Sequence, residues 1–471
     1  MIFRASLLQS FAALVVAGFM GFGAGTPVVA QDAQQPTVKE ILGQIEKNGN
    51  FAIDSALADI NIAIARRDAA VAALYPRLTL SATGRYFRTA PSAYRNERRD
   101  VYGDLEVVQP IYDFGKTSSA IEAANMDTAA TTDLLQSARN AVLMEGMALY
   151  FDLHASELEM RSLYEAHSSA YVRWERSKER LKLGQTSPVD VAKALTLVEQ
   201  SRLDYYRERN HNIALRIRLE ELTGSFIAEE LFSPPKPPRV NPPEMDRQKF
   251  VDIVMLKNPE LMALIKQADA KGILRGGVGN RPNLEAYGNL GKSSIELRGR
   301  KDYALGARLS WPLFDGGINQ SRRSQLAAEE SRLNAAIAQR RSHLRIAAHE
   351  ALLNVQISYQ QVVSALANQD YASRNLLMRQ QLYQLDRVAD LGLAMVENTA
   401  AEAGVVRATG LYFLDLAHIS VLLGQHPGTA LDANFMTTLV EQAGGTVGQY
   451  APKTGSGFGQ DDQNKTNRKL D

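Results

Sequence analysis

The sequence predicts a mixed α and β fold that consists mainly of long α-helices and contains an internal duplication. Three observations support this class. The segment from Ile318 to Leu391 contains neither glycine nor proline and is roughly six times as long as a typical helix. Tyr303 to Trp311 alternates apolar and polar residues, which is the period of a strand. Similar motifs also recur about 200 residues apart.

The duplication is defined by landmarks that appear twice in the same order. Pro110 and Pro312, 202 residues apart, each precede an aliphatic residue, an aromatic residue, Asp, a further residue and Gly. The other pairs are Tyr75-Pro76-Arg77-Leu78 with Arg281-Pro282-Asn283-Leu284, Leu183-Gly184 with Leu391-Gly392, and Leu222-Thr223-Gly224 with Leu422-Leu423-Gly424. We therefore predict two structural repeats, residues 31–231 and 245–443, joined by a stiff Pro-rich linker at residues 232–244.

The two ends of the chain are predicted to lie outside this fold. Residues 1–30 combine Arg4, an apolar run and a small-residue site before Gln31, which is the pattern of a secretory signal peptide. Residues 444–471 are predicted to be a flexible tail. The chain has no cysteine and a formal net charge of +1. This composition excludes disulfides, thiolate metal sites and a lipid-modified cysteine, and it gives no basis for nucleic-acid binding.

Each repeat is predicted to have one plan: a helix, two strands and a long helical hairpin. The first helices are expected at Phe51 to Leu74 and Arg247 to Leu274. The hairpins are expected to turn at their Leu-Gly pairs and to return along Val189 to Thr223 and about Val396 to Leu423. No stretch after Gln31 is predicted to be a hydrophobic spanning helix. A coiled-coil seam is predicted from the spacing of Leu344, Ala348, Leu352, Val355, Tyr359, Val362 and Leu366.

The strands predict an assembly of several chains. At about nine to eleven residues each, they suit tilted strands that cross a membrane. Four strands cannot close a barrel, and open strand edges are not tolerated in lipid. Three chains would supply twelve strands, which lies within the range of outer-membrane barrels.

This combination of duplication, paired strands and long hairpins resembles the TolC-like outer-membrane efflux family, over nearly all of the chain up to Gly424. The resemblance implies a homotrimer whose twelve-stranded barrel, in contact with outer-membrane lipid, continues as a periplasmic α-helical barrel. It implies a passive duct of a tripartite efflux or type I secretion system. The implied partners are a periplasmic adaptor (membrane fusion) protein and an inner-membrane ABC or RND-type transporter.

The resemblance also assigns roles to particular residues. The barrel-to-helix junctions are Pro110, Asp113, Gly115, Pro312, Asp315 and Gly317. The periplasmic tip, with its aperture and adaptor docking surface, is expected at Gly184, Gln185, Thr186, Asp190, Gly392, Glu397, Asn398 and Glu402. Asp190 matches an acidic constriction residue of the family, whereas Asn398 stands where a second acid is expected. From their positions near the strands, the aromatic residues expected at the membrane interface are Tyr86, Phe87, Tyr102, Tyr303 and Trp311.

The sequence predicts no catalytic, metal or cofactor site. Ala286 to Ser293 fits a relaxed phosphate-loop pattern, but it lies in a predicted strand and does not open a helix. The histidines do not form a ligand set. A periplasmic coiled-coil adaptor or scaffold is the alternative function, because long hairpins suit it as well. The sequence leaves the cargo open among drugs, polypeptides and polysaccharides.

Overall fold

The computed structural model describes residues 37–88, 97–227, 235–238, 242, 245–294, 302–385, 390–432 and 434–442. The predicted signal peptide, most of the linker and the predicted tail lie outside these residues. The helices are α1 Val38–Asn48, α2 Phe51–Ala72, α3 Lys116–Lys182, α4 Pro188–Thr223, α5 Arg247–Lys257, α6 Pro259–Gly277, α7 Ile318–Gln384, α8 Leu391–Leu422 and α9 Phe435–Gln442. The strands are β1 Arg77–Arg88, β2 Glu97–Tyr112, β3 Asn283–Ser293 and β4 Tyr303–Ser310.

The long helices confirm the predicted mainly helical fold. α3 and α7 each contain 67 residues, so each is about 100 Å long. Each begins after a left-handed glycine, Gly115 or Gly317, and each packs against the helix that follows it. The seam predicted on α7 is buried from Leu344 to Val362, whereas Leu366 at its end is 36% exposed.

The four strands form one antiparallel sheet in the order β1-β2-β3-β4. Its register places residues of like polarity side by side. Leu80 pairs with Leu105, Leu105 with Leu290, and Leu290 with Tyr303. The neighbouring row, on the opposite face, joins Thr79, Glu106, Asn289 and Ala304. The sheet therefore has one apolar face and one polar face.

The short helices differ from the sequence prediction at two places. The helix expected over Arg247 to Leu274 is two helices, because Asn258 is held in an extended conformation before Pro259. α1 was not predicted at all. Its apolar face, which includes Ile41 and Ile45, is buried in the core where α1, α4 and α8 surround the middle of α3.

The sequence prediction also underestimated the apolar character of α8. By length and hydropathy, α8 is the described helix that meets the criteria for a membrane span. Its location explains its composition, because α8 packs against both α3 and α7. Most of the residues in its apolar segment are buried. We therefore interpret α8 as a core helix.

Candidate functional site

The two faces of the sheet are the first candidate functional surface. Large side chains on the apolar face are exposed in the single chain, including Leu80 at 79% and Leu305 at 86%. The face is bordered by Tyr86 and Tyr303 near one end of the strands and by Trp311 just after the other end, and all three side chains are exposed. A strand rises about 3.3 Å per residue, so Tyr303 and Trp311 lie roughly 25 Å apart. That spacing suits aromatic side chains on either side of an apolar membrane band.

Of the remaining predicted interface aromatics, Tyr102 belongs to the polar face. Its hydroxyl donates to Asp104 Oδ1 at 3.1 Å. Its neighbours in β2, Val101 and Gly103, lie on the opposite, apolar face of the sheet. Its expected location on the apolar face is therefore wrong. Phe87 pairs with Arg98 in the ladder between β1 and β2. Its side chain is not among those that the structure describes.

The polar face carries charged groups that link neighbouring strands. Arg85 on β1 lies 3.1 Å from Asp100 on β2, whose side chain is fully buried. Arg308 on β4 reaches Glu106 on β2 at 3.8 Å. Charges of this kind require water or polar partners. The polar face therefore suits contact with an aqueous space, and the apolar face suits contact with lipid.

The strand-to-helix junctions have the same geometry in both repeats. Asp113 accepts hydrogen bonds from the backbone N–H of Gly115 at 3.2 Å and of Thr117 at 2.7 Å. Asp315 accepts the equivalent bonds from Gly317 at 3.0 Å and Asn319 at 2.9 Å. Burial raises the pKa of Asp113, but the hydrogen bonds from Thr117, Gly115 and Lys116 outweigh it, so this pKa is lowered overall. The aspartates therefore fix the turn and satisfy the helix N-terminus.

The two junction prolines occupy different positions. Pro110 lies inside β2 at a register shift between Pro110 and Tyr112, whereas Pro312 follows the end of β4. A proline cannot donate to the ladder, which explains the irregular pairing at Pro110. Phe114 has a φ of +56°, where the second repeat has Gly316 at +67°. The junction roles predicted for these residues stay predictions.

The first hairpin turn is closed by glycine and by a capping box. Gly184 has a φ of +69°, and its N–H donates to the Leu181 carbonyl at 2.9 Å. The Gln185 N–H donates to the Arg180 carbonyl at 2.8 Å, which completes a Schellman motif. At the start of α4, Ser187 Oγ donates to Asp190 Oδ2 at 2.7 Å, and Thr186 Oγ1 donates to the same oxygen at 3.1 Å.

The second hairpin turn lies six residues earlier than the sequence predicts. α7 ends at Gln384 with Leu385 as its C-cap, so Leu385 is the counterpart of Leu183 at the same offset of 202 that relates the two prolines. Asp390, the N-cap of α8, is the counterpart of Ser187. The match between Gly184 and Gly392 is therefore wrong. Gly392 lies in the first turn of α8, where an added Cβ would be 2.7 Å from Ser169 Oγ on α3.

The structure brings the two hairpin ends together. A cleft of about 640 Å³ contains Thr186 from the first hairpin and Asp390 and Gly392 from the second. Sequence reasoning missed Asp390, although an Asp directly before an apolar helix is a recognised N-cap signal. It also missed the lining residues Arg173, Arg176 and Arg180, whose spacing places them on one face of α3. Asp390 lies 3.7 Å from Arg173.

The other predicted tip residues lie further along α8. Glu397 accepts a hydrogen bond from Asn375 on α7 at 3.0 Å. Asn398 donates to Glu402 at 2.8 Å. Because Asn398 follows the Asp390 N-cap by eight residues, it is not the counterpart of Asp190 in the first turn of α4. The aperture and docking roles of these residues stay predictions.

Loss of the Ser187 cap is expected to loosen the first turn of α4. Ser187→Ala removes the acceptor of the Asp190 N–H, which costs about 1 kcal/mol in a typical helix. Amide hydrogen exchange at residues 189–191 should therefore accelerate by roughly fivefold. Thr196→Ala, an exposed position on the same helix, is the matched control. Equal exchange in the two variants would contradict the role of the cap.

The same turn is expected to respond to acid. Hydrogen bonds from Ser187 and Thr186 lower the pKa of Asp190 below its ordinary value of 3.8. The carboxylate therefore stabilises the turn fully above that value, and this contribution is lost as the pH falls through the lower folded pKa.

Comparison with known proteins agrees with this geometry. Residues 42–225 match the model of the outer membrane efflux protein family. A search of curated protein sequences returned no significant match. The outer membrane channel CmeC of Campylobacter jejuni has a similar fold, with a TM-score of 0.67, 17% identity and coverage of 86% of this chain and 89% of that chain.

Two further solved structures have the same fold. The outer membrane protein VceC of Vibrio cholerae has a TM-score of 0.63 and 17% identity, and the match covers 82% of this chain and 96% of that chain. The MtrE outer membrane channel of Neisseria gonorrhoeae has a TM-score of 0.60 and 18% identity, with coverage of 83% and 90%. The model of the outer membrane efflux protein family therefore matches the first repeat, and over most of its length the chain has the fold of these outer membrane channels.

Proposed function

We propose that this chain is a member of the TolC-like outer-membrane efflux family and that three copies of it form one passive duct, with a shared twelve-stranded barrel and a periplasmic tube of helices. The two-faced sheet carries this proposal. Among the described strands, β1 and β4 each pair on one side only. Open edges beside an apolar, lipid-compatible face require pairing with another strand. Pairing of β4 with β1 of the next copy satisfies the backbone hydrogen bonds of both edges. It also closes the sheets into a barrel whose polar faces surround water.

The helices support the same closure. α6 of the second repeat packs against both α3 and α7. Its counterpart α2 packs against α3 within the described chain, and its residues Phe51 and Ile62 are exposed. If the relation between the repeats continues from chain to chain, α2 packs against α7 of the next copy. Exposed apolar residues on α7, such as Leu353 and Ile357, are available for helix contacts of this kind.

We further propose that the duct works with a periplasmic adaptor and an inner-membrane transporter, which supplies the energy. The cleft between the hairpin ends supports docking there, because it combines residues of both repeats. Passive transport requires no catalytic residue of the chain itself. A scaffold or adaptor role would also use long hairpins, but it gives no reason for an exposed apolar face on a four-stranded sheet.

The duplication predicts which residues meet between copies. Within the chain, Leu105 of β2 pairs with Leu290 of β3. The two repeats are related by an offset of 202 residues at the prolines, so the residue equivalent to Leu105 is Ala307 on β4. They are related by an offset of 206 residues at the first strands, so the residue equivalent to Leu290 is Gly84 on β1. We therefore expect Ala307 of one copy to lie opposite Gly84 of the next.

Cysteine cross-linking tests this pairing. The natural chain has no cysteine, so Gly84→Cys with Ala307→Cys introduces the only thiols. Residues opposite each other in antiparallel strands are close enough for a disulfide. Oxidation in isolated outer membranes should therefore give covalent dimers and trimers on denaturing gels.

The control combines Gly84→Cys with Ala286→Cys, because Ala286 lies on β3 between two strands and should not meet another copy. Ala82→Cys with Leu309→Cys tests the neighbouring pair of the same register. If both edge pairs stay monomeric under oxidation, the shared barrel is rejected.

A further inference from the structure

Two tyrosines on the polar face of the sheet lie across glycines of the adjacent strand. A Cβ added to Gly291 on β3 would be 2.6 Å from Cζ of Tyr102 on β2. A Cβ added to Gly306 on β4 would be 2.9 Å from the hydroxyl oxygen and 3.0 Å from Cζ of Tyr287 on β3. At these distances a larger residue would force the tyrosine ring to move, so each glycine provides the space that its tyrosine ring occupies.

Neither glycine is explained by backbone conformation. Both lie within regular strand pairing, and the glycines with a left-handed φ are other residues. Glycine within a strand weakens the strand and often marks a close approach. On the apolar face, by contrast, Gly103 has open space around its missing Cβ. The close approach to tyrosine is therefore the specific feature of Gly291 and Gly306.

Further contacts hold the two rings in place. The Tyr102 hydroxyl donates to Asp104 Oδ1 at 3.1 Å. The guanidinium carbon of Arg308 lies 4.9 Å from the centre of the Tyr287 ring. This arginine extends from β4 across β3 to Glu106 on β2 at 3.8 Å, so Tyr287 lies between its glycine and a charged side chain.

We propose that Gly291 and Gly306 determine the width of the duct within the barrel, because they allow Tyr102 and Tyr287 to lie along the wall. This inference rests on the proposed function, in which the polar face surrounds the transport path. Each tyrosine then occurs three times around one barrel. A ring displaced by even one methyl group on its glycine turns away from the wall and narrows the path at three positions at once.

If this proposal is correct, the barrel selects cargo by its size. The path past these rings admits bulky cargo while the rings lie along the wall, and only smaller solutes when they are displaced. Alanine is the informative substitution at the glycines, because a larger side chain would itself occupy the path.

The test measures entry of thiol reagents from outside the cell. Ser310→Cys places the only thiol on the polar face, paired opposite Asn283. In the register of the sheet, this position is further from the β1–β2 and β3–β4 connections than both Tyr102 and Tyr287. The readout is the ratio of the labelling rate of a bulky methanethiosulfonate reagent to that of a small one. The small reagent corrects for the amount of folded protein in the membrane.

Gly291→Ala and Gly306→Ala are each expected to lower this ratio several-fold. Gly103→Ala, a strand glycine on the apolar face, should leave it unchanged. Adding Tyr102→Ala to Gly291→Ala, or Tyr287→Ala to Gly306→Ala, should restore the ratio, which a general folding defect would not allow.

Two outcomes would overturn the proposal in distinguishable ways. An unchanged ratio in both glycine variants, with normal labelling of the parent protein, rejects the width-determining role and leaves the duct intact. If neither reagent labels Ser310→Cys in the parent protein, the polar face does not surround an open aqueous path. The proposed function then fails, and this inference fails with it.

Discussion

Replacing Arg216 by methionine is expected to destabilise the junction of α3 and α4 by about 3 kcal/mol, the cost of breaking a buried ion pair from one side. Arg216 Nη2 lies 2.8 Å from Glu157 Oε1, and the two side chains are only 13% and 16% exposed. Arg216 Nη1 also donates to the Ile227 carbonyl at 2.9 Å. Methionine retains most of the side-chain volume but leaves the Glu157 carboxylate without this cation.

The measurement is thermal unfolding of the purified protein in detergent, followed by far-ultraviolet circular dichroism. Arg218→Met, an exposed arginine one half-turn away on α4, is the matched control and should have little effect. The double variant Arg216→Met with Glu157→Met should recover much of the loss, because it removes both buried charges. Equal unfolding temperatures for Arg216→Met and Arg218→Met would show that the ion pair does not stabilise the junction.

Replacing Gly410 by valine is expected to cost about 3 kcal/mol, at the upper end of the usual range for overpacking. At Gly410, α8 approaches α3 closely beside Phe151. A Cβ at Gly410 would lie 2.8 Å from Phe151 Cβ and 2.9 Å from its Cγ. Phe151 itself is buried and stacks near Phe413 at a ring separation of 6.4 Å, so it has little freedom to move. The two helices must therefore separate.

Alanine substitutions at two glycines of α8, Gly404 and Gly410, provide the control for this prediction. Gly404 has open space around its missing Cβ. Gly404→Ala should therefore stabilise α8 by up to about 1 kcal/mol through helix propensity, whereas Gly410→Ala should destabilise it. Unfolding temperatures that shift in the same direction for both alanine variants would contradict the close-packing role of Gly410.

The repeat plan was predictable from sequence because it depends on local signals. A long segment without glycine or proline predicted α7, and one interrupted only by Gly146 predicted α3. The alternation around Leu80 and Leu305 predicted strands with the expected faces. The aspartates after the strands, Asp113 and Asp315, each accept two backbone hydrogen bonds at the start of the next helix. Each of these features is determined by residues near one another in the chain, so a short window of sequence contains the necessary information.

At the hairpin ends and within the sheet, local sequence signals did not predict the roles of individual residues. Gly392 was matched to the turn glycine Gly184 because both follow a leucine. Its actual role is to let α8 approach Ser169, a residue more than 200 positions away. Tyr102 was placed with the membrane aromatics because of its residue type. The register of β2 instead places it with Asp104 on the polar face.

The sequence by itself therefore determined the kinds of element, their order, the duplication and the resemblance to a family of known fold. Only the tertiary structure decided which glycines serve turns and which serve close contacts, which face Tyr102 occupies, and how Thr186 and Asp390 come to share one cleft. The physical reason is that these features depend on contacts between residues distant in the chain. Such contacts are fixed by packing and strand register, and they leave no periodic signal in the sequence.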